Sequence, residues 1–184
     1  MGQSLRFLPT PIFGAVVIDS ILRKDDRGHF LRSWCMKEFA QEGIDFVPVQ
    51  TNIGFSRLKG TTRGMHFQVS PALEAKLARC TRGSLFDVVV DVRENSPTRY
   101  KWYGVELRAD NYRMLYIPEG CAHGYQTLED DTDLYYMTSQ YFTPSAATGV
   151  RFDDPAFGVD WPLTPTSISE QDLNWPLIGE GSSR

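Results

Sequence analysis

The stretch LFDVVVDV (85–92) decides how the rest of this chain is read. A period of two sets Phe86, Val88, Val90 and Val92 on one face of a strand, and Leu85, Asp87, Val89 and Asp91 on the other. Working outward, WYGVEL (102–107), RMLYI (113–117) and DLYYMTSQYF (133–142) have the same character. Glycine and proline interrupt the chain at short intervals, and runs rich in Val, Phe, Tyr, Trp and Thr lie between them, the rhythm of successive short strands. Helical signal is confined to CMKEFAQEG (35–43), closed by Gly43, and to SEQD (169–172). Many short strands and almost no helix predict an all-β sandwich or barrel, with a jelly roll the leading form.

The chain has 184 residues, enough for one domain with a real core. Its apolar content of 41% and charged content of 23% are those of a globular protein. No apolar run approaches the roughly 20 residues that span a bilayer. The start lacks the apolar centre of a secretory signal. Cys35, Cys80 and Cys121 are far apart and odd in number, so neither a zinc ribbon nor a disulfide framework is indicated, and a cytoplasmic location is the default. A net charge of −4 argues against broad nucleic-acid binding.

Three histidines carry most of the chemical interest: His29, His66 in TTRGMHFQ (61–68), and His123 in IPEGCAHGY (117–125). A metal site in a jelly roll needs at least three close N or O ligands. The residue two after His66 is Gln68, and the next carboxylate is Glu74, so such a set is incomplete. A proton-transfer base needs other parts. Imidazole titrates near neutrality, and a carboxylate on its second nitrogen fixes the tautomer. Asp172, Asp87 and Asp91 are candidates for that carboxylate. Lys76 could meet an enolate, and Tyr135, Tyr136 or Tyr141 could return a proton from the opposite face. Each also has a plain structural reading: strand tyrosines pack well, and Asp172 stands three after Ser169, as in a helix capping box. Arg27 and Arg63 each precede a glycine and suit a bidentate grip on phosphate, or a solvated turn.

Taken together, RGMHFQ, KLARCTRGSLFDVVVDVRENSPT, LYIPEGCAHGYQTL and GVRFDDPAFGVDWPL followed by ISEQD resemble the dTDP-4-dehydrorhamnose 3,5-epimerases, in order, over about residues 12–172. The resemblance implies a single cupin-type jelly roll (double-stranded β-helix) over 1–184 with a few short helices. It implies a homodimer formed by strand exchange, no metal or other cofactor, and a nucleotide-diphosphate 4-keto-6-deoxy sugar as substrate. It makes His66 the base, Asp172 its orienting carboxylate, Tyr136 the acid and Lys76 the enolate's cation. Asp87 and His123 would line the same pocket, and Arg63 would hold the diphosphate. Gln50 and Asn52 would contact the nucleotide, and Tyr141 would lie beside base or sugar. Arg27 and Phe30 would reach the partner's nucleotide.

The sequence departs from the family pattern at named positions. RGHFLR places Arg32 where the family commonly has glutamate, and Met137 follows Tyr136 where lysine is frequent. QTN (50–52) stands where many members have an acidic or similar polar residue after the glutamine. A guanidinium only donates where a carboxylate only accepts, which leaves a CDP-linked sugar open as an alternative. An epimerase acting at C3 or C5 alone, a sugar-nucleotide isomerase of the same fold, a metal-dependent cupin oxygenase and a non-enzymatic sugar-nucleotide-binding jelly roll are the other readings.

Overall fold

The computed structural model describes residues 3–178. Residues 1, 2 and 179–184 of the expected 1–184 unit lie outside the described residues. In chain order the strands are β1 Leu5–Pro9, β2 Val16–Ser20, β3 Arg23–Asp25, β4 Gly28–Phe30, β5 Gln50–Ser56, β6 Thr62–Gln68 and β7 Lys76–Arg82. They continue with β8 Ser84–Asp91, β9 Trp102–Arg108, β10 Arg113–Ile117, β11 Cys121–Thr127, β12 Thr132–Thr138 and β13 Ala147–Gly149. Helix α1 spans Met36–Gln41 and α2 spans Glu170–Leu173. A six-stranded sheet, in the order β1-β2-β10-β7-β12-β5, faces a five-stranded sheet, in the order β13-β6-β11-β8-β9. All their pairings are antiparallel. This is the expected jelly roll, and β3 and β4 form a separate hairpin beside it.

The alternation in 85–92 holds, and both faces of β8 are covered. Leu85 and Val89 enter the core between the sheets with Ala78, Cys80, Leu107, Leu115 and Leu134. Val88 and Val90 point the other way, into a cluster with Met65, Ala122, Val150 and Phe157. A strand buried on both faces is apolar nearly throughout, which is why this stretch was the clearest signal. The six-stranded sheet buries the middle of its outer face too: Ile18, Leu77, Met114 and Met137 pack against Phe39 of α1 and against Phe46, while Ile53 and Phe55 on the edge strand β5 stay exposed. Met137 is therefore core.

Two sequence expectations need correction. The strand expected over 133–142 stops at Thr138, whose hydroxyl donates to the Gln140 carbonyl (2.8 Å) and turns the chain. Asp91 belongs to no histidine. It is fully buried and accepts from Arg93 Nη2 (2.7 Å), Thr98 Oγ1 (2.6 Å) and Ser96 Oγ, pinning the loop between β8 and β9.

Burial alone would push the Asp91 carboxyl up, but these donors, led by Arg93, hold it down at about 2. Its folded value lies below the unfolded one. Its stabilisation is therefore complete above the ordinary carboxylate range and is lost as pH falls towards 2. We expect Asp91→Asn to cost about 2 kcal/mol at pH 7. Urea unfolding of both proteins should show the gap narrowing between pH 4 and pH 2. A gap constant across that window contradicts this account.

Candidate active site

A cavity of about 500 Å³ opens between the sheets. Gln50, Asn52, Lys76, Tyr136 and Thr138 line it from the six-stranded sheet, and Arg63, His66, His123 and Tyr125 from the five-stranded sheet. The position of His66 depends on an irregularity in β6. His123 on β11 pairs with His66, but Tyr125, two residues on, pairs with Arg63, three residues back. The extra residue is a bulge, and it turns Arg63 and His66 towards the same cavity although strict alternation would separate them. Gly64 sits in the bulge with φ +121°, and a Cβ there would lie 2.5 Å from Gly124 Cα and 2.8 Å from the His123 carbonyl oxygen. Only glycine suits that backbone and that approach.

Helix α2 delivers the partner of His66 from 106 residues away: His66 Nε2 and Asp172 Oδ1 are 2.6 Å apart. The Ser169 hydroxyl accepts from the Asp172 amide (3.0 Å), so half of the capping box exists. The Asp172 carboxylate turns away from the helix and also accepts from the Gly64 amide (3.2 Å) and Trp175 Nε1 (3.2 Å). Burial opposes its ionisation, but the hydrogen bond and charge of His66, the Gly64 amide and Ser169 together hold the carboxyl below its ordinary value. An ionised Asp172 can only accept, so His66 carries its proton on Nε2 and its Nδ1 is left as the basic nitrogen. The Trp175 ring stands edge-on to His66, with centroids 6.3 Å apart.

On the facing wall Tyr136 points inward from β12, and burial raises its phenol, with the negative charge of Glu74 adding and Arg63 opposing. Tyr135 alternates to the outer face and packs in the cluster over α1. Lys76 Nζ lies 2.9 Å from Glu74 Oε1 and donates to the His66 carbonyl oxygen (3.2 Å). His123 Nε2 lies 2.8 Å from Asp87 Oδ1, so the cavity holds two neighbouring histidine–carboxylate pairs. Arg63 donates to the Phe55 carbonyl (3.0 Å) and the Ser56 hydroxyl (3.3 Å) at the cavity wall. Gln50 Nε2 donates to Asn52 Oδ1 (3.3 Å), joining those two lining residues.

Gln68, which interrupts the histidine pattern of a metal site, is 2% exposed and does structural work. Its amide donates to the carbonyls of Ala72 (3.0 Å) and Tyr141 (3.2 Å) and accepts from the Thr143 amide (2.6 Å). Among the described residues, no three His, Cys, Asp or Glu side chains converge as metal ligands would.

Three expected site residues stand apart from this cavity. Tyr141 lies past the end of the strand and outside the cavity lining, and the neighbouring Phe142, equally exposed, sits at the cavity's edge instead. Arg27 and Phe30 sit on the exposed β3–β4 hairpin, where Arg27 pairs with Asp25 (2.6 Å). Arg32 is exposed, and its carbonyl accepts from Ser20 Oγ (3.0 Å). Sequence reading missed Glu74, Tyr125, Phe142 and Trp175. Glu74 was detectable from its place two before Lys76, and Trp175 from its place three after Asp172, just past the end of α2.

Comparison with known proteins supplies the family. The family model for dTDP-4-dehydrorhamnose 3,5-epimerase matches residues 9–180. The chain belongs to this family. A dTDP-4-dehydrorhamnose 3,5-epimerase of Methanothermobacter thermautotrophicus is 39% identical over 178 residues, 95% of each chain. The crystal structure of the Elizabethkingia anophelis NUHP1 dTDP-4-dehydrorhamnose 3,5-epimerase superposes with a TM-score of 0.93 at 33% identity, covering 97% of this chain and 99% of that one. A Legionella pneumophila Philadelphia 1 3,5-epimerase in complex with dTDP-4-keto-L-rhamnose superposes with a TM-score of 0.88 at 34% identity, covering 94% and 92%. The present chain is accordingly an isomerase of the epimerase class.

The contact between Trp175 and Gly149 tests how tightly this epimerase's site is built. A Cβ on Gly149 would lie 2.5 Å from Trp175 Nε1 and 2.7 Å from the Met65 carbonyl oxygen. We expect Gly149→Ala to cost about 1–3 kcal/mol of stability by overpacking. Displacement of Trp175 from Asp172 should lower kcat by roughly tenfold. Urea unfolding and steady-state assays check both, and wild-type behaviour in both would show that the contact is slack.

Proposed function

We propose that this epimerase converts dTDP-4-dehydro-6-deoxy-D-glucose to dTDP-4-dehydro-L-rhamnose by inverting C3 and C5. The observation that carries the reading is a single cavity lined by both His66, backed by Asp172, and Tyr136 on the facing sheet. A C4 ketone acidifies the protons on both neighbouring carbons. His66 Nδ1 takes one of them, and the carbon–hydrogen electron pair moves to the ketone oxygen. The Lys76 ammonium meets the enolate charge. The protonated Tyr136 then donates to the opposite face of the carbon. Before the second carbon is inverted, His66 releases its proton to solvent and Tyr136 regains one from solvent, and the sugar ring shifts so that the same groups serve both centres.

The remaining assignments follow the same reading. Arg63 holds the diphosphate, since guanidinium binds phosphate oxygens bidentately. Gln50 and Asn52 contact the nucleotide, and His123, backed by Asp87, lines the sugar site. In a homodimer joined by strand exchange, the exposed β3–β4 hairpin presents Arg27 and Phe30 to the partner's nucleotide, and Tyr141 completes the rim beside base or sugar. We take the chain to work as one domain. Three unpaired cysteines suit a reducing compartment such as the cytoplasm. The relatives' names favour the dTDP-linked double inversion over the one-carbon and CDP-linked alternatives.

Incubation with dTDP-4-dehydro-6-deoxy-D-glucose in heavy water should place deuterium at C3 and C5. His66→Asn should abolish exchange. Tyr136→Phe should still exchange through His66 on the substrate's own face, with inverted product reduced about 10²–10⁴-fold. No incorporation by the wild type with this sugar would rule the reading out.

A further inference from the structure

Among the described residues, Glu74 is the only acidic side chain lining the cavity. None of the roles above uses it, and a carboxylate is an unfavourable neighbour for an anionic diphosphate. It is also well held. Its side chain is 10% exposed and that of Lys76 is 8% exposed. The backbone between them is tied to β12's end, with the Ala75 amide donating to Ser139 Oγ (2.8 Å) and the Ser139 amide to the Ala75 carbonyl (3.0 Å). Gln68 clamps the same segment at Ala72 (3.0 Å).

The pair limits what Lys76 can do. Two of its three ammonium hydrogens are directed to Glu74 and to the His66 carbonyl, leaving one for an oxygen in the cavity. A lysine on four rotatable bonds, untethered beside a diphosphate, would swing to the phosphate charge. Tethered, it stays beside the histidine whose product it must stabilise, and Arg63 is left for the phosphates. The carboxylate also acts on Tyr136, which stands one inward position along the sheet: Tyr136 pairs with Ala78, and Thr138 with Lys76. The ionisable groups around that phenol are Lys76 on β7, Glu74 before it, Arg63 and His66 on β6, His123 and Tyr125 on β11, Asp87 behind His123 and Asp172 behind His66.

We infer that Glu74 is a positioning residue for the epimerisation: it fixes the Lys76 ammonium at the ketone end of the cavity and acts by its charge on the Tyr136 phenol. The inference rests on the epimerase reading above. Burial and the Glu74 charge both favour the protonated phenol, and Arg63 disfavours it. Removing the carboxylate therefore makes Tyr136 easier to ionise.

Ultraviolet titration of tyrosinate tests the charge effect without any substrate. The wild type and Glu74→Gln are each compared with the same protein carrying Tyr136→Phe, which isolates the Tyr136 signal. In Glu74→Gln that signal should move to lower pH, and an unmoved signal overturns the inference. With dTDP-4-dehydro-6-deoxy-D-glucose as substrate, Glu74→Gln should lower kcat about tenfold without raising KM, because the freed ammonium strengthens ground-state binding. An unchanged kcat also overturns it. Where the unpaired lysine prevents Glu74→Gln from folding, Lys76→Met is compared with Lys76→Met/Glu74→Gln. In that background the Tyr136 signal should still move to lower pH when the Glu74 charge is removed, and an unmoved signal overturns the inference. A wild type whose Tyr136 titrates high but which exchanges no deuterium overturns the epimerase reading alone and leaves the Glu74–Tyr136 coupling in place.

Discussion

Two backbones pass each other at Gly64 and Gly124 with no side chain between them, and the geometry of the site depends on that approach. It allows β6 to carry one extra residue opposite β11, which brings Arg63 and His66 onto one wall. It also leaves the Gly64 amide facing the Asp172 carboxylate, so the feature that aims the histidine helps to charge its partner. In a regular strand Arg63 and His66 would lie on opposite faces of the sheet.

Around that point the cavity separates its charges. Asp172 is held ionised by three neighbours and fixes which nitrogen of His66 is basic. Tyr136 is raised in a drier setting and keeps its proton. Lys76 and Glu74 form an ion pair, so among the described residues lining the cavity Arg63 is the cation without a carboxylate partner. A site for a dianionic diphosphate and a transient enolate needs two positive centres that do not compete for one anion. The ion pair between Glu74 and Lys76, at the start of β7, provides that separation.

The chain also shows how one residue type serves different ends. Asp87 and Asp91 share a strand face and are both fully buried. One backs His123 at the cavity, and the other binds Arg93, Ser96 and Thr98 to close a loop. Their spacing is equally good for either task, so the strand pattern could not separate a site residue from a structural one.

What the sequence determined by itself was local. Alternation in 85–92, breaks at glycine and proline, and the Ser169–Asp172 spacing are properties of neighbouring residues, and they are enough for strands, an all-β fold and a short helix near the end. The motif resemblance added His66, Lys76, Tyr136 and Asp172 as a set, and the structure brings them together at one cavity. What tertiary structure alone decided was which faces meet. The bulge in β6 has no signature in TRGMHFQ beyond a glycine. The end of β12 at Thr138, which takes Tyr141 away and brings Phe142 in, depends on where the chain must turn. Trp175 over His66 and Glu74 on Lys76 depend on register between segments far apart in the chain. Sequence periodicity reports how one element distributes its side chains, while a site is made where several elements close on the same volume.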